Sequence, residues 1–145
     1  MPQGKNDQTA TRAWLRIVVL VAALLAVPAV ASAGSSRTLA INCGLKQYKP
    51  RQIILSCGDA GIRVDHLKWS SWTSTKAVAT GSYTENTCSP NCAAGHTVSR
   101  PVKVTLFARG ICPGQPGHVF ANARFAFPKG APPYAYRHFG FLCPV

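Results

Sequence analysis

Residues 50–72 read P-R-Q-I-I-L-S-C-G-D-A-G-I-R-V-D-H-L-K-W-S-S-W. Ile53, Leu55 and Cys57 recur at period two and so share one face of an extended segment. Gly58, Asp59 and Gly61 supply turn chemistry, and the alternation resumes from His66 to Thr73. The stretch predicts two strands joined by a turn, with a cysteine ending the first and two tryptophans on the second. Period two puts Leu67, Trp69 and Ser71 on one face and His66, Lys68, Ser70 and Trp72 on the other. One face is then core and the other wet, and the tryptophans are expected to point opposite ways.

The same alternation extends in both directions. Thr38–Cys43 is a short strand with Leu39 and Ile41 on one face, and a basic linker carrying Lys46, Lys49 and Arg51 leads into the hairpin. Ala77–Thr84 is a weaker strand in which Gly81 marks a bulge or a close backbone approach. Residues 86–95 form a loop. Val102, Val104 and Leu106 alternate with Lys103, Thr105 and Phe107 in the strongest period-two run of the chain, and Pro101 before them suits an edge or first-residue position. Val119–Phe127 and Ala135–Cys143 follow as further strands, separated by turns rich in Gly and Pro. No mature segment carries a helical apolar stripe. Seven short strands with regular turns predict an all-β, antiparallel, immunoglobulin-like sandwich.

The first 33 residues read as something other than this domain. Met1–Arg16 is basic, Ile17–Val27 is an apolar run of 11 residues, Pro28 breaks it, and Ala31-Ser32-Ala33 offers small residues for cleavage before Gly34. That three-part pattern predicts a secretory signal peptide. The run is shorter than the roughly 20 residues needed to span a bilayer. The expected organisation is a signal peptide over 1–33 and a secreted domain over 34–145, led by a disordered Gly34–Arg37 and with no transmembrane segment after cleavage.

All six cysteines fall in the exported part, which predicts disulfides in an oxidising compartment. Six cysteines allow 15 pairings. Neighbour pairing, in which each bridge flanks one turn or ties one terminal strand, predicts Cys43–Cys57, Cys88–Cys92 and Cys112–Cys143. Cys88 and Cys92 with His96 could form half a metal site, but no second cysteine pair stands nearby and a local disulfide is the expectation. No metal and no cofactor is expected.

Residues 50–106 also carry a resemblance. Pro50, Ile53, Leu55, Cys57 and Asp59, then Leu67-x-Trp69-Ser-Ser-Trp72-Thr, followed by Gly81, Tyr83, Asn86 and Cys88-x-Pro90-x-Cys92-Ala93-x-Gly95, resemble small secreted actinobacterial proteins of unknown function. The segment with Cys112 and Cys143 departs from that pattern. The resemblance implies export and a shared fold; it brings no activity and no catalytic residues.

Charge bounds the function. The full chain is +12, and without Lys5, Arg12, Arg16 and Asp7 it keeps 13 bases and three acids, a net +10. Asp59, Asp65 and Glu85 are the acids, each explicable as a surface or turn residue, and His66, His96, His118 and His138 are scattered singly. General acid–base and two-carboxylate chemistry lack an evident set of groups. Without a helix, RNP-like motif or finger signature, sequence-specific nucleic-acid reading is not expected. The expectation is a non-catalytic, cationic binding or interaction module, extracellular or cell-wall associated. Its partner would be an anionic cell-envelope surface or polymer, or another protein. A cationic effector (toxin or inhibitor) and a small hydrolase are the alternatives. Trp72 beside Lys68, with Lys46, Lys49 and Arg51, is the candidate binding surface. The chain does not reveal an oligomeric state.

Overall fold

Among the described residues most of the expected strands form, but those expected over 53–57 and 135–143 shorten to two and three residues. A computed structural model describes residues 37–143; the expected signal peptide and nearly all of the expected disordered lead-in lie outside the described residues. Eight strands follow in order: β1 (Thr38–Asn42), β2 (Leu45–Gln47), β3 (Ile53–Ile54), β4 (Ile62–Trp72), β5 (Ala77–Asn86), β6 (Thr97–Ile111), β7 (His118–Ala126) and β8 (His138–Gly140). No helix occurs among the described residues. The all-β, disulfide-stapled class expected from the sequence is what forms.

The pairing differs from the expected sandwich. All strands join one hydrogen-bonded sheet in the order β2-β1-β7-β6-β5-β4-β3, with β8 also on β7. Most pairs are antiparallel, but β1 runs parallel to β7, with Leu39 opposite Val119. Period-two patterning fixes which face a side chain takes, not which strand lies alongside, so the sequence could not distinguish two facing sheets from one curled sheet. The curl shows in contacts between strands far apart in that order. Asn42 of β1 accepts the Ile54 amide of β3 at 2.9 Å and donates to the Gln52 carbonyl at 3.1 Å. The Thr38 hydroxyl donates to the Ser74 carbonyl, at the β4–β5 turn, at 2.6 Å.

The main core fills the inside of this half-barrel. Ile53, Val64, Ala79, Tyr83, Val104, Leu106, Phe120 and Phe125 are all buried there. A smaller cluster of Ile41, Cys112 and Val119 lies apart from it, with Phe141 packing against both. The two clusters arise because alternation breaks along β7, where Val119 and Phe120 turn to different clusters although Ala123 and Phe125 keep the main-core face. Opposite this break β6 holds Ala108 at φ +58°.

Two further departures have local causes. Pro101 sits inside the 15-residue β6, not at its start. It pairs with Ser82 of β5, but β7 joins β6 only from Lys103 onward, so on that side Pro101 has no ladder to interrupt. In β4, register shifts against β5 fall between Asp65 and Lys68 and again between Trp69 and Ser71, with His66 at φ +54°. Each shift breaks the alternation. Val64, Leu67, Trp69 and Trp72 consequently all pack against the main core, so the tryptophans share a face instead of opposing each other. Gly81 lies across from the first bulge, and a Cβ there would meet the Asp65 carbonyl oxygen at 2.7 Å. That is the close backbone approach the glycine signals.

Three disulfides staple the sheet: Cys43–Cys57, Cys88–Cys92 and Cys112–Cys143, the pairing chosen from neighbour spacing. No described cysteine is free, a pattern that fits an oxidising compartment. Among the described residues no helix is long and apolar enough to cross a membrane.

Candidate cationic surface

The linker before β3 has little regular structure of its own, and β4 holds it in place. The Trp69 indole N–H donates to the Pro50 carbonyl at 2.8 Å, and the Leu67 amide donates to the Arg51 carbonyl at 2.9 Å. Trp72 pins the start of β1 in the same way, its indole donating to the Thr38 carbonyl at 2.9 Å. These bonds satisfy carbonyls that the irregular segment would otherwise leave unpaired. They also leave Lys49 and Arg51 exposed on a fixed backbone.

Trp72 itself is half-buried. Its ring meets Trp69 at 4.6 Å, Tyr48 at 5.1 Å and Phe120 at 5.5 Å, each edge to face. The outermost ring of this stack is Tyr48, which is 44% exposed. The Arg37 guanidinium lies 5.0 Å and the Lys49 ammonium 5.4 Å from its centroid, within cation–π range. Tyr48 and Arg37, neither among the expected site residues, therefore occupy the accessible position that the sequence assigned to Trp72. The available signal was Tyr48 lying between basic residues in the linker.

The other expected site residues scatter. Lys68 is exposed on the outer face of the sheet, away from Trp72, because the bulges turn Trp72 inward. It pairs in register with Thr80, which pairs with Lys103. Directly opposed residues share a face, so two exposed lysines stand about 10 Å apart across three strands. On the next strand Arg124 lies over the Phe107 ring at 5.7 Å. Lys46 is half-buried and donates to the Pro116 carbonyl at 3.1 Å.

The acids explain why so many bases have no carboxylate. Asp59 accepts the Gly61 amide at 2.9 Å and the Ser56 hydroxyl at 2.8 Å, and these bonds hold its carboxyl below the usual range. Asp65 pairs with Arg63 at 2.9 Å, the single ion pair among the described residues, and also accepts from Gln52. Glu85 is fully buried, contrary to its expected surface or turn position, because β5 continues past Thr84 to Asn86. One of its oxygens accepts the Tyr134 amide at 3.0 Å; the other has no hydrogen-bond partner. Of the 13 described bases, only Arg63 meets a carboxylate, while Arg37, Lys49, Arg124 and Arg137 rest on aromatic rings.

Cys88 and Cys92 are bonded to each other, so neither is available as a metal thiolate, and among the described residues no three His, Cys, Asp or Glu side chains gather into a metal site. Comparison with family models, curated proteins and solved structures finds no match for this chain.

Proposed function

We propose that this is an exported, non-catalytic module that binds anionic envelope surfaces or polymers through fixed cations. The observation that carries the reading is the engagement of all three acids, which leaves twelve of the thirteen described bases without a carboxylate. Such a surface attracts anions over roughly the Debye length, about 8–10 Å at physiological salt. Charge alone gives little selectivity. Tyr48, flanked by Arg37 and Lys49, adds a ring face and two cations at a place the aromatic stack holds rigid, and fixed groups lose less entropy on binding.

The test is retention of the mature protein on a polyphosphate matrix and on isolated cell-wall material across a salt series. Strong retention at low salt that falls steeply with added salt is expected. Arg37→Gln with Lys49→Gln should elute earlier than wild type on both supports. Low-salt retention no stronger than that of a neutral domain of similar size would show that the charge only solubilises.

A further inference from the structure

A second feature shares no residue with the Tyr48 cluster and carries no charge of its own. Where the two core clusters meet, the sheet leaves a cavity of about 710 Å³. Ile41 and Leu45 of the β1–β2 hairpin line it, with Ile54 and Leu55 at the end of β3 and Phe139 and Phe141 of the C-terminal segment. Its size falls within the range of small-ligand sites, about 300–1,000 Å³. No ionisable side chain lines it. A charged group placed inside would lose its hydration with nothing in return, so the chemistry selects an apolar occupant.

Two disulfides anchor part of the wall. Cys43 and Cys57 form one bridge at the cavity, and Cys143, also a lining residue, is tied to Cys112 of the smaller core. The bridges therefore hold part of the wall in place before a ligand enters, which lowers the ordering cost of binding. Leu45 and Leu142, both lining residues, are 62% and 87% exposed. Lys46 does not line the cavity, and its ammonium donates to the Pro116 carbonyl, but it is the cation next in sequence to the lining residue Leu45. It is the register partner of Ile41 and so shares its face of the hairpin.

We propose that this cavity takes the hydrocarbon chain of an anionic single-chain amphiphile, with the tail between the two disulfides and the headgroup outside, toward Lys46. The tail assignment stands on the lining alone. The headgroup assignment rests on the anionic-surface reading above and names a ligand class for it.

The experiment is calorimetric titration of the mature protein with straight-chain alkanoates below their micelle concentrations, alongside the matching alkanols. Affinity should rise roughly fourfold per added methylene, the fold-change equivalent to about 0.8 kcal/mol per buried CH₂, until the chain fills the cavity. Leu45→Ser and Leu142→Ser, both at exposed positions, should each weaken binding several-fold. Lys46→Gln should weaken alkanoates and leave alkanols unchanged. Affinity independent of chain length, or unaffected by both leucine variants, overturns the proposal. Equal binding of alkanoate and alkanol overturns its headgroup part. A dimer that Leu142→Ser separates into monomers would assign the cavity to a second copy of the chain and also overturn it. Polyphosphate carries no hydrocarbon, so its retention tests the charge reading separately, and either can fail while the other stands.

Discussion

Glu85 and Tyr134 are joined by a 3.0 Å bond from the Tyr134 amide to a carboxylate oxygen that is fully inside the protein. Two residues back on the same face of β5, the Tyr83 hydroxyl accepts the Tyr136 amide, also at 3.0 Å. The pair forms a clasp on alternate amides of the segment between β7 and β8. Glu85→Ala leaves the Tyr134 amide without its acceptor and opens a hole beneath it. A loss of about 2–4 kcal/mol is expected, from an unsatisfied buried donor plus lost packing. Glu85→Gln retains an acceptor at nearly the same volume and should cost less. Urea denaturation of both variants measures the difference, and equal losses would mean the bond contributes nothing.

The Trp69–Trp72 contact separates a structural role from a binding one. Trp72→Phe keeps an aromatic ring and loses the bond to the Thr38 carbonyl, at a cost of about 1 kcal/mol. Trp72→Ala removes the centre of the aromatic stack and should cost about 3–5 kcal/mol. Retention of Trp72→Phe on polyphosphate should match wild type, whereas Tyr48→Ala should elute earlier with little loss of stability. Earlier elution of Trp72→Phe and unchanged elution of Tyr48→Ala would assign polyphosphate retention to Trp72 and not to Tyr48.

The exchange of position between Trp72, packed against the core, and the exposed Tyr48 shows where sequence pattern stops. Alternation located β1, β4, β5, β6 and β7 because their apolar residues face one buried interior. It could not follow β4 through two bulges, since nothing in the identity of His66 announces a positive φ. The clue lay on the neighbouring strand, where Gly81 makes room for the Asp65 carbonyl, but a glycine signals a close approach without naming the approaching strand. Glu85 was misplaced for a related reason. The polar ending Thr84-Glu85-Asn86 resembles the edge of a strand, and its burial depends on a loop 49 residues away that covers it. Tyr48 was hidden by its position in an aperiodic linker, where no periodicity assigns a face. The disulfides were more legible because pairing near neighbours in sequence requires little knowledge of the fold.

The bridges should differ in their contribution according to the chain they close. Cys43–Cys57 spans 14 residues, Cys88–Cys92 spans 4 and Cys112–Cys143 spans 31. Chain-entropy arguments give about 3, about 2 and nearly 4 kcal/mol respectively. Paired Cys→Ala variants should lose least stability at 88/92, more at 43/57 and most at 112/143. The 112/143 variant should also lose alkanoate binding, since it frees a wall of the cavity. A 88/92 variant less stable than the other two would contradict the loop-length argument.

Tyr83 ties stability to alkaline pH. Burial disfavours its phenolate and, against the opposing Tyr136 amide, pushes its pKa up to about 12, with the nearby Glu85 charge acting in the same direction. In the unfolded chain a tyrosine ionises near its ordinary value of about 10. The unfolded state thus releases its proton first, and between these values it binds fewer protons than the folded state. Stability from this residue is complete below pH ~10, falls as pH rises and is lost by about pH 12. Urea midpoints measured through this interval should decline for the wild type more steeply than for Tyr83→Phe, which has no proton to lose. Tyr83→Phe will start lower at neutral pH, because the Tyr136 amide loses its acceptor. The decisive quantity is therefore the slope and not the starting value. Ultraviolet titration of the folded protein should show one of its four tyrosines ionising near pH 12, with that transition absent from Tyr83→Phe. Parallel declines in the two proteins would show that another group controls alkaline unfolding.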